Sequence, residues 1–164
     1  MSITKKLTYH HSITELGNLQ LRIITNIIKD GKTIDKKYSA PVTPTDTNNI
    51  DDWDDKSKEI VNTLINPIVK KDFNLEKQEM TGIGLEEIIT YDRVIEEDGK
   101  IAVRRITRIF DDGKEISKKY HRSWIMPGDN PDNNDVISKE LAKKLHTQLV
   151  VDKYKEKLNK VDIV

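Results

Sequence analysis

Residues 89–124, ITYDRVIEEDGKIAVRRITRIFDDGKEISKKYHRSW, lie without a gap over residues 7–42, LTYHHSITELGNLQLRIITNIIKDGKTIDKKYSAPV, when the chain is shifted by 82. Sixteen of the 36 aligned positions are identical, among them Thr8/Thr90, Tyr9/Tyr91, Gly17/Gly99, Arg22/Arg104 and Thr25/Thr107. The densest match is Asp30-Gly31-Lys32 over Asp112-Gly113-Lys114, followed by Lys36-Lys37-Tyr38 over Lys118-Lys119-Tyr120. Chance would match about two or three positions, so the chain reads as an internal duplication. Farther on, Ser57, Glu59, Leu64, Ile68 and Phe73 lie over Ser138, Glu140, Leu145, Leu149 and Tyr154 at a shift of 81. Two copies are too few for a solenoid, which needs about three. Two lobes or one fused pseudo-dimer is expected: a first repeat over 1–76, a connector over 77–87 and a second repeat over 88–164.

Each copy reads as three strands and a helix, an α+β tandem duplication of a β-β-β-α unit. In the second copy Ile89, Tyr91, Arg93 and Ile95 alternate with Thr90, Asp92 and Val94, the period of a half-buried strand. Further strands are expected over 101–110 and 116–126, with Asp112-Gly113 as the tight turn, because Asp-Gly tolerates the positive φ that a two-residue hairpin demands. The first copy repeats the pattern over 7–13, 19–28 and 33–42. A three-stranded antiparallel meander offers one face that a helix can cover. Trp53, Ile60, Val61, Leu64, Ile65 and Ile68 supply one apolar helical stripe; Ile137, Leu141, Leu145, Leu149 and Tyr154 supply the other. A bend or break is expected in each helix, at Asn66-Pro67 and at His146-Thr147.

Composition narrows the function. Of 164 residues 35% are hydrophobic and 34% charged, against about 45–50% and about 25% in an average domain, so the core should be thin. Basic and acidic side chains balance at 28 each, and each half is neutral by itself, which argues against a grip on nucleic acid by phosphate neutralisation. Lysine outnumbers arginine 22 to 6, a bias typical of an AT-rich genome. With no cysteine there is no disulfide, thiol nucleophile or thiolate metal site. The opening MSITKKLTYHH lacks the apolar stretch of a secretory signal, and no apolar run is long enough to span a bilayer as a helix.

No constellation of catalytic residues stands out. Gly82-Ile83-Gly84 lacks the third glycine of a nucleotide loop. The loop from Asp129 to Asp135 has a proline at the third calcium-loop position and Asn134 where glycine is required, so Asn134 or Asp135 reads as a helix cap. Asp51, Asp52, Asp54 and Asp55 read likewise for the first helix. His10 and His11 are strand neighbours facing opposite ways and cannot share a ligand. No enzyme activity, cofactor or metal is expected.

The expected sites are surfaces. Five of the six arginines fall in the second copy, Arg93, Arg104, Arg105, Arg108 and Arg122, and could present a basic face to a protein partner. The second strand of the first copy is apolar on both faces, with Ile23 and Ile27 on one and Ile24 and Ile28 on the other, so packing of the lobes sheet to sheet, edge to edge or against another molecule is expected. Unpaired edges of small meanders also invite a partner's strand.

The run from Arg105 to Asp129 resembles small proteins encoded by tailed phages, particularly marine ones, a family without a settled activity. The likeness rests on Arg105/Thr107/Arg108, Asp111-Asp112-Gly113, Tyr120-His121-Arg122 and Pro127-Gly128-Asp129. The first copy matches only partly, with Ser39-Ala40 for the His-Arg pair and no Pro-Gly-Asp. The resemblance implies a virion or host-cytoplasm setting and supplies no catalytic residues. Two functions follow as expectations: a non-enzymatic structural or assembly component joined through its sheet edges to itself or to other virion proteins, and a binding module that engages a host protein through the arginine-bearing sheet.

Overall fold

The computed structural model describes residues 3–15, 17–40, 53–65 and 80–161. The fold is α+β, one six-stranded antiparallel sheet with helices on one face. The strands are β1 (Ile3–Ile13), β2 (Leu19–Lys29), β3 (Lys32–Tyr38), β4 (Leu85–Ile95), β5 (Ile101–Asp111) and β6 (Lys114–Ile125). Helix α1 (Asp55–Ile65) follows β3; α2 (Val136–Leu145) and α3 (Gln148–Val161) follow β6. The strand order is β3-β2-β1-β4-β5-β6, so β3 and β6 are the outer edges among the described residues.

Turn chemistry sets the registers. Asp30 and Asp112 have φ of 49° and 44°, and Gly31 and Gly113 have φ of 81° and 77°. That left-handed pair is what a two-residue hairpin needs to follow the sheet twist. β1–β2 pairs Ile3 with Lys29 through Ile13 with Leu19, and β4–β5 pairs Leu85 with Asp111 through Ile95 with Ile101, the same ladder displaced by 82. A register irregularity falls at Ile27/Ile28 and again at Ile109/Phe110.

The halves meet edge to edge, one of the arrangements expected, but over only three residue pairs: His11–Ile95, Ser12–Val94 and Ile13–Arg93. Apolar burial supplies the rest of the join. Ile13, Leu19, Ile60 and Val61 from one half share a single core with Ile95, Ile101, Val103, Ile125, Ile137 and Leu141 from the other. Lobes with separate cores, one of the two expected alternatives, are therefore not what forms. Each fully buried aliphatic side chain here contributes about 1.5–3 kcal/mol of transfer free energy, which a three-pair ladder could not match.

The helical break expected at His146-Thr147 is present between α2 and α3. Its counterpart at Asn66-Pro67 lies outside the described residues. Several strand boundaries differ from expectation. β1 and β4 begin four residues earlier than the alternation indicated, so β4 takes Leu85 from the stretch expected as connector; the long partner strands β2 and β5 provide hydrogen bonds beyond the apolar run. β3 ends at Tyr38 rather than at residue 42.

Candidate functional site

Alternation along the strands assigns each side chain to the helix-covered or the helix-free face. On the covered face Leu21, His11, Ile95, Ile101 and Ile125 form one cross-sheet row. On the free face the rows run Ser12–Val94–Ala102–Trp124, then Asp92–Arg104–Arg122, then Thr90–Ile106–Tyr120. A groove of about 830 Å³ opens over the first of these, its lining including Val94, Ala102, Glu15, Arg104 and Trp124.

Three of the five expected arginines share this free face. Arg104 grips Asp92 with its Nε and Nη2, with Nε 2.9 Å from Oδ2. Arg108 Nη2 lies 2.6 Å from Glu15 Oε2, its Nε 3.4 Å from Glu115, and its Nη1 donates to Thr90 Oγ1 at 2.9 Å. Burial pushes the Glu15 carboxyl up, but hydrogen bonds from Arg108 and Thr90 outweigh it and hold the group below its ordinary value. Arg122 is exposed and makes no ion pair among the described residues. Arg105 stands in the Tyr91–Arg105–His121 row and is exposed on the opposite side of the sheet. Ile23 and Ile27 also have that opposite parity and are half-buried.

Arg93 does not belong to a docking surface. It is 1% exposed, buried beneath the helices. Its Nε donates to Ser138 Oγ at 2.9 Å and its Nη2 pairs with Asp135, the N-cap of α2. An outside partner cannot reach it. The first half carries a corresponding group: His11, fully buried, lies 2.7 Å through Nε2 from Ser57 Oγ, and Ser57 donates to Asp54. His11 matches Arg93 at the shift of 82, and Ser57 and Asp54 match Ser138 and Asp135 at 81. Asp54 and Asp135 both cap their helices, accepting from Ser57 N at 3.1 Å and Ser138 N at 3.0 Å. Because the Ser57 hydroxyl proton goes to Asp54, His11 must donate through Nε2, leaving Nδ1 as a bare acceptor. Burial, reinforced by the charge of Lys56, lowers the His11 pKa to about 4.

The aromatic members of the free face were not expected as site residues. Tyr120 and Trp124 are 56% and 48% exposed. Arg104 and Lys118 both lie 5.3 Å from the Tyr120 ring centre, and Lys100 lies 5.4 Å from that of Trp124. Arg22, the first-half match of Arg104, is exposed beside His10 rather than beside a carboxylate. The signal was present in the alternation Lys118, Tyr120, Arg122, Trp124 along the last strand, read two residues at a time. Counting arginines alone passes over it.

No group of three or more metal-ligating side chains occurs among the described residues, and none of their helices is long and apolar enough to cross a membrane. Comparison with protein families, curated proteins and solved structures finds no match to this chain.

Proposed function

We propose that the protein is a non-enzymatic binding module whose helix-free face, on the side of the second repeat, engages an acidic protein surface. The observation that carries this reading is the exposed cluster of Tyr120, Trp124 and Arg122 on one face of an edge strand. Tyrosine, tryptophan and arginine are the residues that dominate binding energy at protein interfaces. Arg104 and Arg108 are already neutralised by Asp92, Glu15 and Glu115, so the face suits a mixed apolar and acidic partner better than a polyanion.

The same reading takes the chain as a duplicated β-β-β-α unit fused into a pseudo-dimer, one half of which has specialised. Its support is the repeated registers and the paired His11–Ser57–Asp54 and Arg93–Ser138–Asp135 networks. Only the second half has the arginine and tryptophan of the face: Ala40 stands where the second half has Arg122. The phage likeness falls on this same β5–β6 hairpin and favours action in a virion or a host cytoplasm. Self-assembly through the edges is less well supported, because Lys32, Lys36 and Lys37 on β3 and Lys114, Lys118 and Lys119 on β6 set like charges against a second copy.

A random-peptide display selection on the immobilised chain tests the proposal. Enriched peptides should be rich in Asp and Glu with an aromatic or aliphatic residue, and enrichment should vanish on a Tyr120→Ala/Arg122→Glu chain. Equal enrichment on both chains, or none on the wild type, overturns it.

A further inference from the structure

β6 is both the terminal strand of the sheet and the strand that carries the exposed side chains of the free face. Its helix-free side reads Lys118, Tyr120, Arg122, Trp124, a regular alternation of cation and aromatic ring at every second residue. All four are exposed, and among the described residues Arg122 and Lys118 have no ion-pair partner and no strand pairs with the outer side of β6.

Resting on the reading of an acidic partner, we infer that β6 accepts an added strand from another protein, one face of which repeats acidic-x-apolar-x-acidic-x-apolar. The spacing follows from strand geometry. Side chains on one face recur about every 6.6–7 Å, and a strand paired with β6 has the same period, so each of its residues stands opposite one of β6. An acid opposite Lys118 or Arg122 then alternates with an apolar group opposite Tyr120 or Trp124. The ladder hydrogen bonds supply affinity without regard to sequence, and these cross-strand pairs supply selectivity. The other face of β6 strengthens the sign of the match, since Lys119 and His121 are also exposed there.

A second copy fits this edge poorly. Strand pairing of β6 with itself sets Lys114, Lys118, Lys119 and Arg122 of one chain among the same cations of the other. The opposite outer strand is a weaker acceptor: β3 has 7 residues against 12 and carries only Lys36 and Tyr38 in the corresponding pattern.

The probe is a blocked nonapeptide in which threonine alternates with Glu, Phe, Glu, Phe and Glu. Binding is followed by Trp fluorescence and by the amide and Arg Nε–H signals of labelled full-length chain. The wild type should bind, with shifts concentrated on β6, and about tenfold more weakly to a peptide whose phenylalanines are replaced by serine. Arg122→Glu should weaken binding by about tenfold or more, because the reversed charge repels the peptide, while Lys36→Glu on β3 leaves it unchanged. Both sites are exposed, and circular dichroism of each variant confirms that the comparison is between folded chains. The same peptide with N-methylated amides keeps its side chains but cannot join an edge, and should not bind. No binding of the parent peptide overturns the inference. Equal binding of the N-methylated peptide overturns strand addition while leaving the acidic-partner reading standing. A dimer in sedimentation that the peptide dissolves means that the edge belongs to a second copy, which also overturns it.

Discussion

His11 gives the fold a pH window in which it loses stability. The imidazole is fully enclosed, its Nε2 proton is committed to Ser57, and its Nδ1 meets no partner among the described residues, so a second proton has no acceptor to meet. The folded pKa is about 4, against an ordinary value of 6.5. Above pH 6.5 the ring is neutral in both states and its stabilising arrangement is complete. As the pH falls below 6.5 the unfolded chain takes up the proton first, and stability drains until the folded form also protonates near pH 4. A gap of about 2.5 pH units, at about 1.4 kcal/mol each, makes the full loss between about 3 and 4 kcal/mol, of which about 3 is reached by pH 4. Acid also removes stability held by Glu15 and Asp98. Burial pushes both carboxyls up, but Arg108 in one case and Lys157 in the other hold them below their ordinary range. The His11 contribution is therefore read as a difference. Urea unfolding of the wild type and of His11→Gln, which keeps a donor for Ser57 and cannot titrate, should be compared at steps from pH 7 to 4. The variant should lose less stability than the wild type on that descent, by about 3 kcal/mol. Parallel curves across the window would refute the burial argument.

The matched network in the second half behaves differently because its cation is permanent. Arg93→Met should cost about 3–5 kcal/mol in urea unfolding at neutral pH by stranding Asp135, which is 5% exposed. The two halves also trade their cations: Lys56 stands in the first where Ile137 stands in the second. Placing a second cation there by His11→Arg should destabilise the fold, and adding Lys56→Ile should recover about 1 kcal/mol or more, measured as a double-mutant cycle. Gly99 has φ of 92°, and a Cβ there would fall 2.7 Å from Val150 Cγ1; Gly31 has φ of 81° with open space around it. Gly99→Ala should therefore lower stability by about 1 kcal/mol or more beyond the loss from Gly31→Ala, as thermal melting of both will show.

The strands were legible because their information is local. Period-two alternation and the Asp30-Gly31 and Asp112-Gly113 turns fix the β2–β3 and β5–β6 hairpins, and the observed registers follow from them. The order of strands across the join was not legible in the same way. Only His11–Ile95, Ser12–Val94 and Ile13–Arg93 make it, and nothing in those six residue types distinguishes an edge pairing from a stacked one. Arg93 illustrates the limit for sites. Its place in an alternating strand identified a face, but a charged residue is ordinarily expected at the surface. What reverses that expectation is the N-cap Asp135 brought over it by α2, some forty residues away in the chain.

Where the two halves diverge carries more meaning than where they agree. The shared positions, such as Gly17/Gly99 and Gly31/Gly113, serve turns that both halves make. Substitutions beneath the helices are compensated: His11 for Arg93 is accompanied by Lys56 for Ile137, so each half has one basic side chain near its capping aspartate. Substitutions on the free face are not. Ala40 for Arg122 is matched by no balancing change on the first-half strands, and His10 for Asp92 leaves Arg22 exposed without the carboxylate that Arg104 holds. Stability demands compensation in a core, since an unpaired buried charge costs several kcal/mol, but places little constraint on an exposed row. The differences on the free face are therefore ones that folding permits, and the peptide selection decides whether a partner uses them.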